Sequence, residues 1–158
     1  MKITISAFFL FLLLTNSYLA FSSNFETIEI KWSDLRKLNY KTGEMPTSLR
    51  QLVGRSIKIP GFAVPLEGDD GFEYIDEFLL VPYFGACIHV PPPPPNQVIH
   101  VILDEPVYFE VISFAIWITG ILEIGDYFIE GGSDDYGQMR YDTETSYLIR
   151  GISVEEYD

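Results

Sequence analysis

The sequence predicts a mainly β protein, a small five-stranded barrel of the OB type with short N-terminal helices. From residue 55 onward, apolar and polar residues alternate in short runs that turn residues separate. There are five such runs, which make a poor two-layered sandwich but are enough to close a small barrel. Gly61 lies inside the first long run, where a strand of a small barrel must coil sharply. An open β-sandwich is the alternative.

The segment before the long strands is predicted to form one short strand and two short helices. Residues 25–30 alternate in the manner of a strand. Ser33 or Asp34 can cap a helical turn through Leu38, and residues 46–52 form a second short helix before Gly54. Helices therefore contribute little to the predicted fold.

The long predicted strands cover residues 55–66, 74–81, 98–103, 115–124 and 146–154. Strong turn residues occupy 68–71, and residues 104–106 are a second turn. Ala115–Ile124 is the most apolar strand and is expected at the centre of the barrel. Residues 126–143 are acidic and rich in glycine, which predicts a loop or an insertion with little regular structure.

The start of the chain predicts export. Lys2 precedes the apolar stretch Ile3–Leu14, and Ala20 and Ser22 offer the small residues that a signal peptidase requires. The apolar stretch is shorter than the ~20 residues of a membrane-spanning helix. Residues 1–22 are therefore predicted to be a cleaved signal peptide, followed by a single domain over residues 23–158. No stable membrane anchor is expected after cleavage.

The charge of the chain limits its partners. The chain has 10 basic and 23 acidic side chains, a net charge of −13. Removing residues 1–22 takes away only Lys2 and leaves a charge of −14. Such a charge repels phosphate backbones, so nucleic acid is excluded as a partner. It weakly favours cationic partners and metal ions.

Cys87 is the single cysteine, so the chain cannot form an internal disulfide. An exported thiol without a partner is unusual, because the compartment outside the cytoplasm favours disulfides. Cys87 and His89 are two residues apart and would point to the same side of an extended segment, with Cα atoms ~6.6 Å apart. His100 lies just beyond the prolines that follow. These three residues form a candidate zinc or copper site, which Asp104, Glu105 or the acidic segment could complete.

Other interpretations of these residues remain open. Cys87 can be a small buried apolar residue while His89 and His100 bind backbone carbonyls. A Cys–His nucleophile would need an oriented partner and an oxyanion site, neither of which is visible, so no catalytic residue is predicted. The consecutive prolines 91–95 form a stiff polyproline II section ~15 Å long at ~3.1 Å per residue. They either brace the Cys87–His89 loop or dock into an aromatic groove of another protein.

Several segments resemble a bacterial family of exported proteins that is known only as a domain of unknown function. The resemblance is carried by residues 59–66, by residues 77–90 with the proline run that ends in Asn96-Gln97, by the W-S-D-L segment at 32–35, by the strand 116–122 and by the closing segment 147–157. It covers most of the chain after residue 22. The resemblance implies a bacterial periplasmic location without an established activity, and the acidic stretch at 126–143 departs from many relatives.

Two functions are expected from these observations. The first is a metal-binding accessory protein that uses Cys87, His89 and His100 to hold zinc or copper. The second is a non-catalytic interaction module of the cell envelope, in which the proline loop or the edge of the barrel binds another protein. An enzyme is the least favoured class.

Overall fold

The computed structural model describes residues 26–66, 73–85, 93–108, 110, 114–130 and 142–157. Two helical turns, α1 (Trp32–Leu35) and α2 (Thr47–Arg50), follow the short strand β1 (Ile28–Glu29). The longer strands are β2 (Ser56–Pro65), β3 (Tyr74–Val81), β4 (Ile99–Tyr108), β5 (Ala115–Ile129) and β6 (Thr143–Glu156), and a 3₁₀ turn occupies Pro95–Gln97. The predicted mainly β class is confirmed.

The strands form one six-stranded sheet in the order β1-β2-β3-β4-β6-β5, and β2 also pairs with β5. Each of the five longer strands therefore hydrogen-bonds to two of the others. Most of these pairs are antiparallel, but β4 and β6 run parallel from Ile99↔Tyr147 to Leu103↔Gly151. The strand β5, which is the most apolar, pairs with β2 along one side and with β6 along the other.

Alternation along the strands places one set of apolar side chains in a common core. On β4, for example, Ile99 and Val101 are fully buried, whereas His100 and Ile102, which each follow one of them, are partly exposed. The same core includes side chains of α1 and α2, so these short helices cover part of the sheet. The members with no exposed surface are Leu35, Ile57, Ile59, Phe78, Leu80, Ile99, Val101, Ile116, Ile118, Leu122, Tyr147 and Ile149.

Two side-chain hydrogen bonds join α1 to the sheet. The Trp32 indole Nε1 donates to the Pro60 carbonyl at 2.6 Å, and the Tyr147 hydroxyl donates to the Leu35 carbonyl at 2.7 Å. Lys31, not Ser33 or Asp34, precedes the first helical residue. The Asp34 carboxylate instead accepts from the Lys31 backbone N–H at 3.1 Å. A helical turn is therefore present as predicted, but it begins at Trp32 and ends at Leu35 instead of Leu38.

The prediction of a turn at residues 104–106 was wrong, because β4 continues to Tyr108. The register of β3 against β4 shifts between Ile75, which pairs with Val107, and Glu77, which pairs with Ile102. This bulge accommodates Pro106, which has no N–H to give to a regular ladder. A bulge depends on the partner strand, so the sequence around Pro106 alone did not indicate it.

The acidic segment was also predicted incorrectly at both of its ends. Strand β5 extends to Ile129 and β6 begins at Thr143, which lengthens both strands into residues expected to form a loop. Tyr127↔Thr145, Phe128↔Glu144 and Ile129↔Thr143 are regular antiparallel pairs. Cross-strand pairing supplies hydrogen bonds that the local composition does not reveal.

The predicted signal peptide at residues 1–22 lies outside the described residues, and its cleavage stays a prediction. In the part of the chain that the structure describes, no helix has the length and apolar character needed to cross a membrane.

Candidate functional site

The antiparallel strands β3 and β4 hold the histidine that the sequence analysis selected. Leu79 pairs with His100 and Leu80 pairs with Ile99, immediately before the segment of residues 82–98 that connects the two strands. Cys87 and His89 belong to that connecting segment. His100 thus lies at the end of the hairpin from which this segment emerges.

The His100 ring is held by a carboxylate of the neighbouring strand. Its Nε2 lies 2.6 Å from Oε1 of Glu77, and the two side chains are 12% and 49% exposed, respectively. Glu77 pairs with Ile102, so it is the diagonal neighbour of His100 on the same face of the sheet. Because an ionised carboxylate only accepts hydrogen bonds, this contact requires a proton on Nε2.

A proton on Nε2 leaves Nδ1 of neutral His100 with the lone pair. Metal-binding histidines commonly show this arrangement, in which a carboxylate accepts from one ring nitrogen while the other nitrogen binds the metal. The carboxylate also fixes the orientation of the ring. Glu77 therefore orients the His100 ring and leaves Nδ1 as the ring atom that can bind a metal ion.

Beside His100, this face of the sheet carries a small apolar cluster of Leu79, Val81 and Val98. Phe62 packs against it, and the Phe84 ring approaches Phe62 edge-on, with centroids 5.9 Å apart. Phe84 is nevertheless 77% exposed. The Phe84 ring, three residues after the end of β3, thus lies against a residue that packs on the apolar cluster next to His100.

The end of the proline segment is fixed to the rest of the protein. Pro94 has the dihedral angles of polyproline II, φ −60° and ψ 152°, and the Gln97 N–H donates to its carbonyl at 2.8 Å. The buried Asn96 side chain donates from Nδ2 to the Leu38 carbonyl at 2.9 Å and to the Arg36 carbonyl at 3.3 Å. The Thr145 hydroxyl donates to the Val98 carbonyl. This end of the segment is therefore a packed part of the fold.

The structure describes one of the three predicted metal ligands. His100 is on β4, whereas Cys87 and His89 lie outside the described residues. Asp104 and Glu105, which were offered as further ligands, lie four and five residues along β4 from His100, roughly 13 Å or more in an extended strand. Among the residues that the structure describes, no three histidine, cysteine, aspartate or glutamate side chains are grouped as a metal site.

Glu77 is the residue that the sequence analysis missed as a partner of His100. It lies inside β3, and its side chain is 49% exposed. The register of the hairpin could have identified it, because residues 77, 79 and 81 share a face with residues 98, 100 and 102 once Leu79 is placed opposite His100.

Comparisons with known proteins give one family and one solved structure. Residues 25–149 match the family described as "Protein of unknown function (DUF3299)". The crystal structure of a DUF3299 family protein from Pseudomonas aeruginosa PAO1 is similar, with a TM-score of 0.56 and 26% sequence identity. The match covers 82% of this chain and 95% of that chain. No curated protein matches the chain.

Proposed function

The chain belongs to the DUF3299 family, and on that premise we propose that it is an exported metal-binding accessory protein of the bacterial periplasm. Its site would consist of Cys87, His89 and His100, and its metal would be zinc or copper. The Glu77–His100 contact at 2.6 Å is the observation that supports this proposal most directly. It gives His100 the protonated Nε2 that a ligand with a free Nδ1 lone pair requires.

The position of the connecting segment supports the same site. Cys87 and His89 lie six and eight residues beyond Val81, the last residue of β3, and His100 is the second residue of β4. Asn96, at the end of the segment that leads into β4, is hydrogen-bonded to the Leu38 and Arg36 carbonyls. A short connection reduces the entropy lost when ligands from the segment and the strand bind one ion.

The chemistry of the donors favours zinc or cuprous copper. A thiolate and two imidazoles are soft or intermediate ligands, which these ions prefer, whereas calcium and magnesium prefer oxygen. Three protein ligands would also leave one position of a tetrahedral zinc ion open. Such a position suits the transfer of the metal to another protein, in keeping with an accessory role.

We further propose that the fold is a five-stranded OB-type barrel. The cyclic pairing β2-β3-β4-β6-β5-β2 leaves none of the five long strands with a single neighbour. The parallel pair formed by the third and fifth of these strands, β4 and β6, supports this topology. The segment with Cys87 and His89 would then connect the second and third strands of the barrel.

Zinc binding measured by calorimetry on the secreted, metal-free protein tests the function. Cys87→Ser and His100→Asn are each expected to weaken binding at least about tenfold, because each removes one of three ligands. Glu105→Gln, on the same strand as His100 but far along it, is the control and should bind like wild type. Equal zinc affinity of wild type and Cys87→Ser would contradict the proposal.

The unfolding of Cys87→Ser distinguishes a ligand from a core thiol. If Cys87 is a ligand, the metal-free variant should unfold at nearly the urea concentration of wild type. If the thiol only fills the core, the buried hydroxyl should lower stability by roughly 1–3 kcal/mol without affecting zinc.

The alternative is an interaction module of the cell envelope. The exposure of Phe84 (77%) and Tyr83 (50%) beside the proline segment favours this function. This alternative would be supported by two results together. The wild-type protein would bind neither zinc nor copper, and Phe84→Ala would abolish its binding to an envelope protein.

A further inference from the structure

The outer end of the β3–β4 pair carries two tyrosines that face each other. Tyr74 is the first residue of β3 and Tyr108 is the last residue of β4, and the register places them directly opposite each other. The bulge that contains Pro106 separates this pair from the regular part of the ladder. Neither tyrosine belongs to the proposed metal site, because His100 lies at the other end of the same two strands.

The two phenol rings are in contact. Their centroids are 4.3 Å apart, their planes are tilted by 39°, and the Tyr74 hydroxyl donates a hydrogen bond to the Tyr108 hydroxyl. Directly opposite residues of an antiparallel pair have Cβ atoms close enough for such ring contacts. Because the two hydroxyls converge, the ring carbons next to them, the ortho carbons, also lie beside each other.

Both rings are open to solvent, since Tyr74 is 51% exposed and Tyr108 is 54% exposed. A soluble oxidant can therefore reach both phenols without any opening of the fold. Tyr157 is exposed to a similar extent, 49%, but its ring lies against Trp117, with centroids 5.1 Å apart. Exposure is thus shared with other tyrosines, whereas the contact between two phenols distinguishes Tyr74 and Tyr108.

We propose that Tyr74 and Tyr108 are a site of oxidative cross-linking by hydrogen peroxide and a haem peroxidase. The oxidation takes one electron and the hydroxyl proton from each phenol and produces two phenoxyl radicals. The radicals join through a carbon–carbon bond between their ortho carbons, and each ring regains its aromatic form by moving the ortho hydrogen to its oxygen. Hydrogen peroxide accepts the two electrons and two protons and leaves as two molecules of water, so the protein loses two hydrogen atoms.

The observed geometry requires little movement for this reaction. In a biaryl, the ring centroids are separated by two ring radii and one carbon–carbon bond, a distance close to the 4.3 Å between these rings. The product would join residues that are 34 positions apart in the sequence. A covalent link of this kind restricts the unfolded chain more than the folded one, so it would stabilise the end of the β3–β4 pair beyond the bulge.

Oxidation of the secreted protein with hydrogen peroxide and a plant haem peroxidase tests this site. The protein is kept dilute so that encounters between molecules are rare. We expect a monomeric product with dityrosine fluorescence, a mass lower by two hydrogen atoms, and a proteolytic peptide that joins Tyr74 to Tyr108 in mass spectrometry. No cross-link, cross-links only between molecules, or a linked peptide that lacks either tyrosine would overturn the proposal.

Substitutions identify the residues responsible. Tyr74→Phe and Tyr108→Phe each keep the ring but remove the hydroxyl from which the radical forms, so each should abolish most of the dityrosine fluorescence of the monomer. Tyr157→Phe, at a tyrosine of similar exposure, is the matched control and should give the fluorescence of wild type. Equal fluorescence from Tyr74→Phe and wild type would contradict the assignment.

Thermal unfolding measures the consequence of the link. The cross-linked protein should unfold at a temperature at least about 5 °C higher than the untreated protein, because the link closes a long loop of the unfolded chain. Tyr74→Phe exposed to the same oxidant is the control for other oxidative changes and should gain no stability. An equal unfolding temperature before and after cross-linking would contradict the stabilising role.

Discussion

The Asn96 side chain links the proline segment to the turn that follows α1, because its Nδ2 donates to the Leu38 carbonyl at 2.9 Å. The two residues are separated by 58 positions in the sequence. Asn96 is buried, as is Leu38, so water does not compete for this bond. This hydrogen bond connects the turn after α1 with the proline segment. Val98, at the end of that segment, directly precedes β4, the strand that carries His100.

We therefore expect Asn96→Ala to lower the free energy of unfolding by about 1–3 kcal/mol. The substitution leaves the buried Leu38 carbonyl without its donor, and an unsatisfied buried acceptor carries that cost. Urea denaturation followed by tryptophan fluorescence measures it. Asn39→Ala, which removes only an exposed bond to the Lys41 N–H, is the control and should cost less than about 1 kcal/mol. Equal losses in the two variants would contradict the anchoring role of Asn96.

At Gly120, strands β5 and β6 lie too close together to leave room for a side chain. A Cβ atom at this position would be 2.3 Å from the Arg150 carbonyl oxygen, which is backbone and cannot move aside without separating β5 from β6. Gly120→Ala should lower stability by at least about 2 kcal/mol in thermal unfolding. Gly43→Ala is the comparison, since its φ of 73° strains an alanine but leaves open space around it. That variant should lose only ~1–2 kcal/mol, and an equally mild Gly120→Ala would refute the packing argument.

Tyr147 should make stability depend on alkaline pH. Burial raises the pKa of its phenol above the ordinary value of about 10, so the folded state keeps the proton that the unfolded state loses. This contribution is complete below pH 10 and declines as the pH rises above 10. In urea at pH 8, Tyr147→Phe should be less stable by ~1–2 kcal/mol because the bond to the Leu35 carbonyl is lost.

The stability difference between wild type and Tyr147→Phe should then decrease between pH 10 and pH 11.5. Tyr157→Phe, at a half-exposed tyrosine, is the control and should follow the pH dependence of wild type. A difference that stays constant over this range would show that ionisation of Tyr147 is not coupled to unfolding.

If the metal site is formed as proposed, zinc affinity should weaken as the pH falls. Protons compete with the metal for the Cys87 thiolate and for the imidazoles of His89 and His100. We expect a loss of about tenfold or more between pH 7.5 and pH 5.5 in competition titrations with a zinc-sensitive dye. Affinity that is independent of pH would point to carboxylate ligands and away from this site.

Local patterns were sufficient for most of the secondary structure. Strand β3 begins at Tyr74 and ends at Val81 as the alternation predicts, and β2 differs by one residue at each end. A Cβ at Gly61 would lie 2.7 Å from Leu80, so glycine is required there by the neighbouring strand. Alternation predicts such strands because it reflects which face of each strand is buried.

The contact of Glu77 with His100 could be found only from the tertiary structure. The sequence by itself determined the mainly β class, the acidic charge, the lone cysteine and the selection of His100. It did not determine the bulge that contains Pro106, the extension of β5 and β6 into the acidic segment, or the partner of His100. Those features depend on the register between strands, and register is set by pairing and by burial of distant residues.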